Sequence, residues 1–139
     1  MKIKSFEELE VWQKAHELTL FVYGLTKKFP REEQFGLTSQ LRRASSSIPA
    51  NIAEGYGRRT TKELLYSLRV ANGEVEETRY FCRLGKDLNY LNSGEASQVS
   101  QLCDSVSRLL SALGRSLQNW SSPVTSHQSR VTGNNRRQG

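Results

Sequence analysis

Residues 42–59, RRASSSIPANIAEGYGRR, gather the side chains from which this chain could build a reactive or ligand-holding centre. Ser45, Ser46 and Ser47 offer hydroxyl nucleophiles, but a serine attacks only with a base beside it and a third group orienting that base. His16 is the only histidine outside the C-terminal stretch, and it lies in another segment with no accompanying acid. The serines therefore read as hydroxyls that bond nearby backbone groups, and His16 as an interface or surface residue. Gly55-Tyr56-Gly57-Arg58-Arg59-Thr60 suggests a phosphate loop. It follows a helical pattern rather than a strand and lacks a third glycine, so a helix stop and turn is the plainer reading. No catalytic residue is expected.

The cations are different. Arg42, Arg43, Arg58, Arg59 and Lys62 form the densest basic group in the chain. On a helix the two arginine pairs lie about 24 Å apart, which makes two patches rather than one. Two readings stay open, ordinary surface charge and contact with phosphates. Tyr56 is the only aromatic nearby in sequence for stacking on a base, so binding would be mainly electrostatic and tolerant of sequence.

These residues need helices to position them. Val11, Ala15, Leu18, Val22, Leu25 and Phe29 recur at alternating spacings of 4 and 3, the rhythm of one helical stripe. Ser5 with Glu8 forms a capping-box pattern before it, and Pro30 ends it. Treated as coil, residues 31–59 would be an unusually long structureless run. Written as a helix they give an apolar stripe, Leu37, Leu41, Ala44, Ile48, Ile52 and Gly55, beside a polar one, Gln40, Arg43, Ser47, Asn51, Glu54 and Arg58. Pro49 cannot donate to the carbonyl of Ser45, so a bend is expected there, with Gly55 and Gly57 ending the helix. A third stripe holds Leu64, Leu68, Ala71, Val75, Thr78, Cys82 and Gly85 after a Thr60/Glu63 capping pair. A fourth holds Val99, Leu102, Val106, Leu109, Leu113, Leu117 and Trp120 after an Asn92/Glu95 pair. The pattern predicts an all-α fold, an antiparallel up-down four-helix bundle over 1–120 with helices at about 6–29, 32–57, 61–91 and 94–120. Residues 121–139 have too few apolar side chains to offset the entropy of ordering and are expected to form a disordered basic tail.

Composition narrows the functional classes. Of the net charge of +6, half comes from Arg130, Arg136 and Arg137 in the tail, which contains no acid. The body is thus only mildly basic, which permits nucleic-acid contact without requiring it. Cys82 and Cys103 fall in different helices and outside any metal-ligand spacing, so both read as small buried thiols, and neither a metal nor a cofactor is expected. The longest apolar run, residues 20–25, is far below the roughly 20 residues of a membrane span, and no secretory leader is visible at the start. A cytoplasmic location without membrane contact is the expectation.

Two polar sets could face a neighbouring subunit. Trp12, His16 and Tyr23, with Leu9 and Leu20, make a second stripe on helix 1 that suits an interface. Ser47, Asn51 and Glu54 either form a solvated face with an ordinary Glu54–Arg58 pair, or lie against a neighbouring helix or subunit where Asn51 and Glu54 satisfy one another.

LEVWQKAHELTLFVYGLTKKFPREEQFGLTSQLRRASSSIPANIAEGYGR, and beyond it ANGEVEE and KDLNYL, resemble the 23S ribosomal RNA intervening-sequence protein family. The likeness runs over roughly Phe6 to Leu91, with SQLRRA followed by SIPANIAEG as its most specific part; the fourth helix matches only in pattern. Ser46 stands where the family usually has valine, and Ala71-Asn72-Gly73-Glu74 where it often has Ala-x-Gly-Ser, which puts a polar Glu74 on the helix surface. The resemblance implies a small four-helix bundle assembling as a homo-oligomer, a pentamer in some members. A more distant likeness, to the accessory protein of diversity-generating retroelements, implies RNA or DNA and a reverse transcriptase or ribosomal component as partners. The resulting expectation is a non-enzymatic oligomer acting as an RNA- or ribonucleoprotein-associated accessory protein. Its nucleic-acid contacts would come from Arg42, Arg43, Arg58, Arg59, Lys62, Arg130, Arg136 and Arg137. The alternative is an oligomeric protein-interaction scaffold with no nucleic-acid role.

Overall fold

The computed structural model describes residues 4–121, with side chains as far as Gln118. The expected tail, with Arg130, Arg136 and Arg137, lies outside the described residues, as does the side chain of Trp120. Four helices follow one another: α1 (Glu10–Thr26), α2 (Leu37–Tyr56), α3 (Thr61–Asp87) and α4 (Ser93–Ser121). Each packs on two neighbours, α2 against α1 and α3, α4 against α3 and α1, and the backbones of the diagonal pairs stay apart. With short connections, this is the square, up-down bundle that the periodicity predicts. No described helix is long and apolar enough to cross a membrane.

Several helix ends differ from expectation, each for a local reason. Ser5 caps a separate 3-10 turn, Phe6–Glu8, by accepting from the Glu7 N–H at 3.2 Å. Leu9 then takes an extended conformation, and α1 starts only at Glu10. α2 likewise begins at Leu37, because residues 31–33 form their own 3-10 turn and Glu33 reaches over to accept the Leu37 N–H at 2.9 Å. α3 ends at Asp87 rather than near residue 91. There Asn89 adopts a left-handed φ of 64°, and the N–H groups of Asn89 and Tyr90 close back onto Lys86 and Gly85, a Schellman closure. The Asn92/Glu95 box is fully reciprocal, with each backbone N–H held by the other's side chain at 3.0 and 2.8 Å.

The apolar stripes of α1 and α2 are buried along their whole length. On α4 the seam is rotated from the expected one. Val99, Cys103, Val106 and Leu110 enter the core, while Leu102, Leu109, Leu113 and Leu117 flank it half-buried. Gly55 is not a helix stop but a point of close approach within α2. A Cβ there would stand 2.7 Å from that of Ser67 on α3, so only glycine lets the two helices come this near.

Pro49 sits inside α2 and is buried. The Ser45 carbonyl, left without its helical donor by the missing N–H, is met from another helix. Thr19 Oγ1 on α1 donates to it at 2.9 Å, with the Ala15 carbonyl as second acceptor at 3.1 Å. Thr26 Oγ1 is the next hydroxyl along α1 at this interface, bonding the Val22 carbonyl at 2.9 Å and receiving Arg42 Nε at 2.7 Å.

Candidate functional site

The triple serine is committed to backbone. Ser45 Oγ donates to the Arg42 carbonyl, and Ser46 and Ser47 both donate to that of Arg43, at 2.8–3.3 Å. No base stands among these partners. His16 instead stacks flat on Trp12, with ring centroids 4.9 Å apart, and Phe6 meets Trp12 edge-on at 5.2 Å. Among the described residues no group of three or more His, Cys, Asp or Glu could hold a metal ion.

The five clustered cations divide by what they already hold. Arg42 lies on the C-terminal end of α1: Nε bonds Thr26, Nη2 points at the Tyr23 carbonyl, and the guanidinium rests 4.7 Å from the Tyr23 ring centroid. A helix C-terminus and an aromatic face both favour a cation, so this arginine is part of the α1–α2 joint. Arg43 crosses to α3, pairing with Glu77 at 2.9 Å and Glu74 at 3.5 Å. Glu77 and Arg43 favour each other's charged forms, lowering the Glu77 carboxyl and raising Arg43, whereas burial raises that of Glu74. Glu74, a polar surface residue by sequence, therefore joins α3 to α2. Arg58, just beyond the end of α2, pairs with Glu54 four residues back at 2.9 Å.

Arg59 and Lys62 are exposed and make no ion pair among the described residues. One and two turns further along α3, on the same face as Lys62, stand Tyr66 and Arg69. Tyr66 is 62% exposed, and Arg69 is exposed and equally unpaired. Arg58, Lys62, Tyr66 and Arg69, with Glu63 and Ser67, line a surface recess of about 380 Å³. Sequence reasoning missed Tyr66 and Arg69, although their spacing of four and seven from Lys62 was visible.

The expected assembly residues remain on two faces. On α1, Tyr23 is 40% exposed and Leu20 is 59% exposed, and the Trp12–His16 stack lies on the same stripe. On α2, Asn51 Nδ2 donates to the Ser47 carbonyl at 2.8 Å and Glu54 holds Arg58. Within the chain Asn51 and Glu54 thus do not satisfy each other; each has a partner four residues away in sequence.

Comparison with known proteins follows the geometry. The family model described as 23S rRNA-intervening sequence protein matches residues 7–112. Among solved structures, the chain is similar to a protein of unknown function from the S23 ribosomal protein family of Bacteroides thetaiotaomicron VPI-5482. The TM-score is 0.70 at 24% identity, over 76% of this chain and 95% of that one. At that identity the likeness concerns the fold. No curated protein matches the chain.

Proposed function

The chain belongs to the 23S rRNA-intervening sequence protein family, and from that premise we propose that it is a non-enzymatic, homo-oligomeric accessory protein that engages RNA through the α2–α3 end of its bundle. The observation carrying this reading is the combination of two unpaired cations, Lys62 and Arg69, with an exposed aromatic ring, Tyr66, around one recess, and a third unpaired cation, Arg59, just before them in the chain. Cations not neutralised within the protein can release counterions from a phosphate backbone, and an exposed ring offers a base a stacking surface. The family name favours RNA over DNA and a cytoplasmic ribonucleoprotein setting in which a ribosomal component would be the protein partner; a reverse transcriptase would be the partner under the more distant retroelement likeness. Assembly would use the α1 stripe of Trp12, His16, Leu20 and Tyr23. In a pentamer each weak patch is repeated five times, and avidity rises without any new contact.

Binding of a single-stranded oligoribonucleotide, titrated with salt by fluorescence anisotropy, tests the proposal. Affinity is expected to fall steeply with salt and to drop at least about tenfold in Lys62→Ala/Arg69→Ala. Tyr66→Ala should weaken binding with little change in the salt slope. Arg42→Ala, whose guanidinium is already occupied, should leave RNA affinity unchanged. No binding at low salt, or binding indifferent to the Lys62 and Arg69 changes, rejects this site. Sedimentation of the wild type and of Leu20→Glu tests the assembly surface, with a shift to smaller species expected in the variant.

A further inference from the structure

A second recess lies at the opposite end of the α3–α4 pair. It is a groove of about 320 Å³ between the last turns of α3 and the first turns of α4, at the lower end of the roughly 300–1,000 Å³ of small-molecule sites. Its two walls differ in chemistry. α3 contributes Arg79, Arg83 and Lys86, and α4 contributes Ser93, Ser97 and Ser100. Both sets are spaced four then three, and the helices run antiparallel, so cations and hydroxyls face one another level by level. Cys82 and Val99 form an apolar floor, 5% and 1% exposed.

The cations are graded along the groove. Arg79 is held between Asp104 and Glu76 at 2.9 and 3.1 Å. Arg83 has only Asp87, in a pair whose two side chains are 73% and 58% exposed, a contact that water and salt weaken readily. Lys86 has no ion pair among the described residues. Unpaired positive charge therefore lies at the end of the groove where α4 begins, next to Ser93. A carboxylate or other anion that replaced Asp87 on Arg83 would meet Lys86 and the serine hydroxyls together. An organic body attached to it would lie on the Cys82–Val99 floor.

We propose that this groove binds a small organic phosphomonoester of about nucleoside monophosphate size, with the phosphate at Lys86, Arg83 and Ser97 and the organic body over Cys82 and Val99. The phosphate could be carried by a free nucleotide or by the 5′ end of an RNA, and the site stands apart from the Tyr66 recess. Isothermal titration of the full chain with uridine 5′-monophosphate, uridine and inorganic phosphate tests it, alongside oligoribonucleotides with and without a 5′-phosphate. The monophosphate is expected to bind with a dissociation constant below about 1 mM and to outcompete both uridine and inorganic phosphate. Lys86→Ala and Arg83→Ala should each weaken it at least about tenfold. Ser97→Trp, which fills the groove from an exposed position, should abolish binding while the thermal unfolding midpoint stays near wild type. Lys62→Ala/Arg69→Ala should leave the affinity unchanged, which separates failure of this site from failure of the RNA reading. Competition by the 5′-phosphorylated oligonucleotide alone among the RNAs assigns the ligand to an RNA end, and competition by neither RNA assigns it to a free nucleotide. Absence of saturable monophosphate binding, an affinity unmoved in Lys86→Ala, or equal binding of inorganic phosphate overturns the proposal.

Discussion

Removing the Thr19 hydroxyl should damage the protein through Pro49. Thr19→Val preserves shape and deletes one donor, which serves the Ser45 carbonyl at 2.9 Å and the Ala15 carbonyl at 3.1 Å. The Ala15 carbonyl keeps its own helical donor, the Thr19 N–H, since both residues lie within α1. The Ser45 carbonyl has none, because its helical donor would be residue 49. Thr19 is 8% exposed and Ser45 fully buried, so water is not at hand to substitute. An orphaned buried carbonyl costs about 1–3 kcal/mol. With a urea slope of about 1–3 kcal/mol per molar, a loss near the middle of that range lowers the unfolding midpoint by about 1 M.

The decisive measurement is a double-mutant cycle with Pro49→Ala, which restores an N–H at residue 49. Urea unfolding would be followed by circular dichroism, with all four proteins at one concentration so that assembly contributes equally. In the Pro49→Ala background the cost of Thr19→Val should shrink to a few tenths of a kcal/mol, leaving a coupling energy of about 1–2 kcal/mol. The Pro49→Ala single mutant carries no weight alone, because it also loses a buried ring. Equal costs of Thr19→Val in both backgrounds would refute the reasoning, since the Ser45 carbonyl would then not depend on Thr19.

Other expectations follow from the same structure. Gly55→Ala should destabilise by about 1–3 kcal/mol, because its Cβ would press on Ser67, whereas Gly73→Ala, in a helix with nothing within 4 Å, should stabilise by about 0.5–1 kcal/mol; urea unfolding of the pair checks both signs. Burial pushes the Cys82 thiol from an ordinary 9.0 up to about 11 and that of Cys103 to about 12. The stability tied to these neutral thiols is fully present below pH 9 and is lost as pH rises towards the folded values, by about 1.4 kcal/mol for each thiol by about pH 10. Cys103→Ala should reduce the difference between unfolding free energies at about pH 7.5 and pH 10 by that amount, and an unchanged difference would contradict it. Arg42→Lys keeps the charge but loses the fork reaching Thr26 and the Tyr23 carbonyl, so it should cost about 1–2 kcal/mol of stability, read by thermal unfolding, with RNA affinity unaltered.

The stripes of α1 and α2 were legible because their apolar positions keep helical time with no competing set. α4 was not. Leucines at 102, 109, 113 and 117 keep time one way, and Cys103, Val106 and Leu110 keep it one position further round. Two interleaved rhythms on one helix leave the choice to whatever packs against it, here α1 and α3. The helix ends failed for a related reason. The Ser5/Glu8 pair suggests the start of the long helix, but Ser5 serves the local backbone of a short turn, and nothing in a pairwise cap pattern states how long the capped element will be. Pro49 shows the limit most directly. The sequence exposes the missing N–H, but the group that compensates for it, Thr19, lies on another helix, 26 residues before the Ser45 carbonyl that it serves.

The candidate site was readable as a list of cations and unreadable as a list of available ones. Arg43 finds its acids 31 and 34 residues downstream, and Arg42 finds acceptors on α1, so both leave the surface field although they look as basic as Arg59. What remains unpaired, Lys62 and Arg69 in the recess and Arg59 in the turn before α3, gathers at the α2–α3 end of the bundle. In a ring of parallel protomers those charges would share one face of the assembly, whereas an antiparallel arrangement would divide them between two. The first arrangement lets one RNA touch several copies. If it holds, the slope of log affinity against log salt should exceed the value of about −0.7 for each contact that the three cations of one protomer can supply to a single strand, and Leu20→Glu, by dispersing the assembly, should return the slope to that of one copy.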